Sequence, residues 1–241
     1  MTITERQQLI LRLLAEDEKI SVKKMAESLF VSEPTVRRDL TELEKRGLIT
    51  KIYGGARITR EGIAPDAEIP FLLRERERSP IKAEIGRKAA SLVSDGMVLM
   101  LDGSTSAYNV VPFLSGFKDL VVVTSGAKTA VALAERNINT YSTGGRMIIH
   151  SFSYVGEQAE EFVRRINADL LFFSIRALSE KGLMTDVSVE EVNLRRVMLG
   201  AARKKVLLCD SSKFGKTCFY TLGSVDEIDE VISDIPLEFS K

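Results

Sequence analysis

From Ile81 onward the chain repeats one pattern: a helical stretch, a short largely apolar run, then a knot of small polar residues. MVLML at 97–101, LVVV at 120–123, LLFFSI at 170–175 and KVLLC at 205–209 are such runs. A strand without polar alternation must be buried on both faces, which a parallel sheet covered by helices provides. Ile85, Ala89, Leu92 and Val93 mark one covering helix. Further helices are expected after Ser104, from about Ala127 to Arg136, around Gln158–Arg165 and from Glu190 to Ala202, with a short strand near Tyr141. Residues 81–241 are thus expected to form an α/β, Rossmann-like domain on a largely parallel sheet.

Ligands of such sheets bind beyond the carboxyl ends of the strands. Asp102-Gly103-Ser104-Thr105-Ser106, Thr124-Ser125-Gly126, Thr143-Gly144-Gly145 and Asp210-Ser211-Ser212-Lys213-Phe214-Gly215 all follow predicted strands. Glycines let backbone N–H groups approach an anion, hydroxyls add donors, and Lys213 adds a full positive charge. Four such loops on one sheet edge predict a phosphate-binding site. As ordinary turns they would serve geometry alone.

The first fifty residues follow helical periodicity instead. Thr4 and Gln7 have capping-box spacing ahead of Leu9, Ile10, Leu13 and Leu14. Ser21 suits an N-cap before the stripe Val22, Met25, Ala26 and Leu29. A third helix starts near Ser32 and stops at Gly47, a residue suited to a left-handed cap. Val36, Leu40 and Leu43 share its apolar face, while Pro34, Arg38, Thr41 and Lys45 face away, with Thr35 and Arg37 on the flanks. The short turn FVSE makes the last two helices a helix-turn-helix, a geometry that places the start of the second helix in the major groove of DNA. Two apolar runs around Gly54-Gly55 predict a hairpin turned at those glycines, a wing with Lys51 and Arg57 beside the DNA backbone. A helical interaction domain with a solvated basic face is the bland alternative.

Charge agrees in sign: residues 1–60 carry 12 Lys and Arg against 9 Asp and Glu, although the whole chain is formally neutral. Between Arg57 and Pro80 periodicity disappears, three prolines intervene, and LLRERERS alternates charge as a solvated face would. Three regions are expected: a DNA-binding head at 1–58, a connector at 59–80 and the body at 81–241. Cys209 and Cys218 lack metal-ligand spacing, and His150 is the only histidine. No metal site or cofactor is therefore expected. The start MTITERQQLI has no signal-peptide pattern, and no apolar run approaches the roughly 20 residues of a membrane span; a cytoplasmic protein with reduced cysteines is expected.

SVKKMAESLFVSEPTVRRDLTELEKRGLITKIYGGA resembles the winged-helix head of the DeoR family of bacterial sugar-metabolism regulators. Ser32, Thr35, Val36, Arg37, Arg38, Asp39 and Leu40 match its signature helix, and Gly54-Gly55-Ala56 its wing turn. Family members often carry histidine where this chain has Tyr53. The likeness covers nearly all of the chain, and the sensor half of the family resembles ribose-5-phosphate isomerase. It implies operator contacts from Ser32, Thr35, Arg37, Arg38, Thr41, Lys45, Lys51, Tyr53 and Arg57. It also implies a phosphorylated effector held by Asp102, Gly103, Ser104, Thr105, Ser106, Thr124, Ser125, Gly144, Gly145, Arg176 and Lys213. In the isomerases the lysine works with carboxylates on an Asp-Gly-Ala-Asp loop; this chain has Ser174-Ile175-Arg176-Ala177 there.

An arginine is permanently protonated and cannot be the general base of an isomerase, but it can grip an anion. The expectation is a DNA-binding transcriptional regulator, a repressor acting as a homodimer or higher oligomer on double-stranded operator DNA, controlled by a phosphorylated sugar. A sugar-phosphate isomerase with an accessory head and a ligand-independent DNA-binding scaffold are the alternatives.

Overall fold

The computed structural model describes residues 3–17, 19–58 and 70–240, without the side chains of residues 3–5, 8, 12, 15, 16 and 58. It divides into two compact units, Met1–Glu77 and Arg78–Lys241.

The first unit opens with α1 (Ile3–Glu16), β1 (Lys19–Ser21), α2 (Val22–Leu29) and α3 (Glu33–Lys45). The wing follows as β2 (Ile49–Ile52) and β3 (Gly55–Ile58), then α4 (Phe71–Arg76). Local chemistry sets the helix ends. Ser21 and Ser32 accept from the backbone N–H groups of Lys24 and Thr35, and Gly47 turns the chain out of α3 at φ 70°. Ile10, Leu14, Met25, Val36, Leu40 and Leu43 lose almost all solvent contact and form the core. α1 begins at Ile3, so Thr4 falls inside the helix rather than capping it; its side chain lies outside those described.

Three details depart from the sequence reading. The hairpin pairs Ile52 with Gly55, so its turn residues are Tyr53 and Gly54 and not Gly54-Gly55. Gly54 supplies the positive φ of 74°, whereas Gly55 is needed for close approach: a Cβ there would meet the Ile20 carbonyl oxygen at 2.2 Å. That approach arises because β1 pairs antiparallel with β3, a third strand that three residues were too few to announce. Finally, part of the expected connector is helical: α4 packs on α1, with Phe71 and Leu73 buried and Leu73 in the head's core. Residues 59–69 of that connector lie outside the described residues.

The second unit contains α5 (Ser79–Ala90), β4 (Val98–Leu101), α6 (Thr105–Tyr108), β5 (Val121–Thr124), α7 (Ala127–Ala134), β6 (Asn139–Ser142), β7 (Arg146–Ile148) and β8 (Ser153–Val155). It continues with α8 (Glu157–Arg164), β9 (Ala168–Phe173), β10 (Ala177–Leu178), β11 (Leu183–Asp186), α9 (Val189–Gly200), β12 (Ala202–Leu208), β13 (Tyr220–Ser224) and β14 (Glu230–Ile232). Six of these strands form one parallel sheet in the order β14-β12-β9-β4-β5-β6. Counted along the chain this is the doubly wound order 3-2-1-4-5-6, whose switch point falls between β4 and β9.

Alternate strand residues enter opposite cores, as two-sided burial requires. Leu99, Leu101, Val122, Phe172 and Leu208 pack with α5 and α7 through Ile85, Ala89 and Leu133. Met100, Val123, Leu171, Phe173 and Leu207 pack with α8 and α9 through Val163, Val192 and Met198. A hairpin β7-β8 and a small antiparallel sheet β10-β11-β13 lie outside the main sheet.

Candidate functional site

α3 presents two faces. Its buried side carries Val36, Leu40, Leu43 and also Asp39, while Ser32, Pro34, Arg37, Arg38 and Lys45 are exposed and Thr35 and Thr41 half-buried. Asp39 accepts from Arg6 on α1 through both carboxylate oxygens, with Arg6 Nη2 at 2.9 Å from Oδ1. The hydrogen bond to Asp39 raises the Arg6 pKa above its usual value. The bond fixes the helix from behind and leaves its outer face to solvent.

On that face Arg37 pairs with Glu33 at 3.1 Å and Lys45 with Glu42 at 2.9 Å. Lys51 of the wing pairs with Glu44 at 2.8 Å and also donates to Thr41 at 3.3 Å, docking the wing on α3. Among the described residues, Arg38 and Arg57 have no acidic partner, and both are exposed. Tyr53 stands fully in solvent at the wing tip.

In the second unit the carboxyl ends of β4, β9 and β12 converge. Asp102, 1% exposed, accepts from the Ser104 and Ser174 backbone N–H groups at 3.0 and 3.1 Å. Its Oδ2 also accepts from Arg195 Nε at 2.8 Å. Arg195 reaches Asp186 at 2.7 Å and Glu191 at 3.5 Å. Burial opposes its charge, but the carboxylates of Asp186, Asp102 and Glu191 outweigh it and raise its pKa. Asp102 is therefore an internal anchor: its oxygens are spent on protein donors, and an anion would be repelled by it.

Lys213 occupies the neighbouring position. Its Nζ lies 2.7 Å from Ser174 Oγ, 3.4 Å from Ser106 Oγ and 3.6 Å from Asp210. One ammonium thus touches residues following three different strands. Asp210 caps the short turn Ser211–Lys213 and stands near Lys82 and Arg78 as well. Burial would raise its pKa, but Lys213, the Ser212 hydroxyl, Lys82 and Arg78 together lower it. Cys209 beside it is pushed up to about 11, mainly by burial, so its thiol stays protonated.

Ser104 caps α6 by accepting from Ala107, and Thr105 is buried with its carbonyl bonded by Asn109. Gly103 packs directly on Ser153, where a Cβ would meet its Oγ at 2.1 Å. Thr124 accepts from Gly126, and the Ser125 carbonyl accepts from Tyr154. A narrow cleft, with room for about one water molecule, is lined by Asp102, Gly103, Ser125, Ser153, Glu191 and Arg195, with Tyr154, Val155 and Leu194; Ser104, Ser106 and Lys213 are not in its lining. The Thr129 hydroxyl, wholly buried against Gly126, finds no hydrogen-bond partner among the described residues. Gly144 and Gly145 turn at the end of β6, two strands from the switch point, and do not line this cleft; Gly145 approaches the Val155 carbonyl. Arg176 is half-buried at the end of β9, its N–H bonded to Thr185.

Sequence reading missed Arg195, Asp186 and Glu191 as one group. The available signal was the Glu191–Arg195 pair at i,i+4 on a predicted helix, a spacing too common to distinguish a buried network from a surface pair. Among the described residues no cluster of His, Cys, Asp or Glu could hold a metal ion, and no helix is long and apolar enough to cross a membrane.

A winged helix-turn-helix with an open basic face, carried with a doubly wound parallel-sheet body, defines a DNA-binding regulator of two domains. Residues 6–61 match the DeoR-like helix-turn-helix domain, and residues 77–235 match the DeoR C-terminal sensor domain. The chain belongs to the DeoR family of transcriptional regulators. It is 33% identical to the HTH-type transcriptional regulator GolR of Listeria innocua, over 95% of this chain and 90% of that protein. It is 27% identical to the glycerol-3-phosphate regulon repressor of Escherichia coli, over 98% and 92% of the two chains. Among solved structures, ribose 5-phosphate isomerase A of Methanocaldococcus jannaschii aligns over 56% of this chain and 54% of its own, with a TM-score of 0.43 and 15% identity. The curated relatives are named as regulators, and the chain is a regulator rather than an enzyme.

Proposed function

We propose that this regulator represses a sugar-metabolism operon and is controlled by a phosphorylated sugar or related metabolite bound beside the switch point of its sheet. The observation that carries the reading is Lys213, whose ammonium lies against Ser174 and Ser106 at 2.7 and 3.4 Å, with the Asp210 carboxylate 3.6 Å away as the partner an anion would have to compete with. A cation among hydroxyls at converging strand ends suits an anionic group.

The effector contacts divide accordingly. Ser104, Ser106 and Lys213 face the anion, with Gly103, Thr105, Thr124 and Ser125 shaping the loops around it. Asp102 holds those loops through Arg195, and Arg176, Gly144 and Gly145 bound the edge on either side. On the DNA side Arg38 enters the major groove, Ser32 and Thr35 reach phosphates or base edges, and Lys51, Tyr53 and Arg57 follow the backbone from the wing. Arg37, Thr41 and Lys45 flank them after exchanging their internal partners for the duplex. One small head gives limited affinity, so two heads of a homodimer or higher oligomer would share a palindromic operator. A coupling of about 2–3 kcal/mol between the two sites changes operator affinity about 100-fold.

The test measures affinity for a DNA duplex, selected by the protein from a random pool, in the presence of glycerol 3-phosphate, ribose 5-phosphate and hexose phosphates. One phosphate is expected to bind without conversion and to shift operator affinity, and Lys213→Ala is expected to weaken that phosphate by about 10–100-fold while leaving DNA binding intact. A normal phosphate response in Lys213→Ala, or no response to any phosphate, would overturn the reading.

A further inference from the structure

Phe30 ends α2 at φ 54° and ψ 44°, inside the left-handed region. Its N–H reaches back to the carbonyls of Ala26 and Glu27, and the next N–H, of Val31, bonds Ala26 at 3.1 Å. This is the helix-ending geometry in which glycine is the usual occupant, because any Cβ crowds the following carbonyl. Asparagine tolerates it through local hydrogen bonds; phenylalanine has no polar atom with which to do so.

Packing does not compensate. Phe30 is 94% exposed, whereas Phe71 in the same unit is 1% exposed. Backbone strain and ring exposure both favour glycine at this position, so stability does not account for the phenylalanine. Strain retained against stability marks a position held for another purpose.

The surroundings indicate which. The described large hydrophobics exposed in this unit are Phe30, Ile52 and Tyr53. They fall in two places: the turn entering α3 and the wing that follows it. Phe30 stands two residues before Ser32, the N-cap of the helix that enters the major groove in this class of domain. The groove wall there offers apolar surface, the thymine C5-methyl group and the deoxyribose face.

We propose that the Phe30 ring is a DNA contact, seated on apolar surface of the operator beside the start of α3. The strained cap is what presents the ring: it turns the chain out of α2 and holds a large apolar side chain away from the core.

The test compares Phe30→Gly, Phe30→Asn and Phe30→Tyr in the full chain. Relief of the left-handed strain is expected to raise the melting temperature of Phe30→Gly by about 2–4 °C. The same substitution is expected to weaken binding to a duplex selected by the native protein about tenfold. Phe30→Asn is expected to lose affinity alike, and Phe30→Tyr to keep it. The salt dependence of binding is expected to stay unchanged in all three, because an apolar ring releases no counterions. Replacing thymidines of the selected duplex singly by deoxyuridine separates the two surfaces. Loss at one position, absent in Phe30→Gly, identifies a thymine methyl; no loss anywhere, with equal weakening on unrelated DNA, identifies deoxyribose. Native affinity in Phe30→Gly, or equal loss in Phe30→Tyr, would overturn the proposal. So would an altered oligomeric state with unchanged DNA affinity, which would assign the ring to a protein interface.

Discussion

Arg195 Nε donates to Asp102 Oδ2 across 2.8 Å, joining α9 to the loop that leaves β4. The same guanidinium binds Asp186 at 2.7 Å, so a single buried cation ties together three segments around the switch point of the sheet. The network turns the acid of the Asp102–Ser106 loop inward, where its oxygens are taken up by the Ser104 and Ser174 N–H groups and by Arg195.

Removing that cation leaves Asp102 and Asp186 buried without compensation. Arg195→Leu is expected to cost the second domain about 3–5 kcal/mol, read as a lowered midpoint in urea unfolding. Arg195→Lys keeps charge but not the two-sided fork, and should fall between the leucine variant and the native protein. Native stability in Arg195→Leu would show that the network does not hold the domain.

The head has its own buried pair. Asp39, 1% exposed, receives two bonds from Arg6, and Asp39→Asn leaves the guanidinium with a neutral partner. Loss of about 2–4 kcal/mol is expected, read as a lowered melting temperature of the head. The residue faces the core rather than DNA, so affinity per folded molecule for a selected duplex should be unchanged. A selective loss of DNA binding at native stability would reassign it to the interface.

Acid should destabilise the second domain through Asp210 and Asp234. Burial acts to raise both pKa values, yet Lys213, Ser212, Lys82 and Arg78 lower that of Asp210, and bonds from Ser211 and the backbone lower that of Asp234. A carboxylate with a depressed folded pKa contributes stability above its unfolded value, about 3.9, and loses it as pH falls through the folded one. Stability measured by urea unfolding should therefore be flat near neutrality and decline below about pH 4. Arg78→Met, which removes a contact at 3.7 Å to Asp210 and 3.9 Å to Asp234, should make that decline shallower. An unaltered pH profile in this variant would remove Arg78 from the account.

Much was legible in the chain itself. Ser21, Ser32 and Gly47 announced helix ends because capping is a contact between residues three or four apart. The largely apolar strands announced a sheet covered on both faces, and their polar successors marked its carboxyl edge. Those features depend on neighbours, and neighbours are what a sequence displays. The turn at Tyr53-Gly54 was misread by one residue because Gly54 and Gly55 look alike in sequence. Only β1, crossing behind Gly55, decides that one glycine serves the turn and the other a close approach. Arg6 and Asp39 lie 33 positions apart, and Arg195 and Asp102 lie 93 apart. A buried ion pair is selected by which surfaces the fold brings together and shields from water, and no local periodicity encodes that. The sequence determined the kinds of elements and the sheet edge that carries the polar loops. Tertiary structure decided which charges hold that edge, Arg195 on Asp102 and Lys213 beside Asp210, because only the folded chain brings such distant groups together away from water.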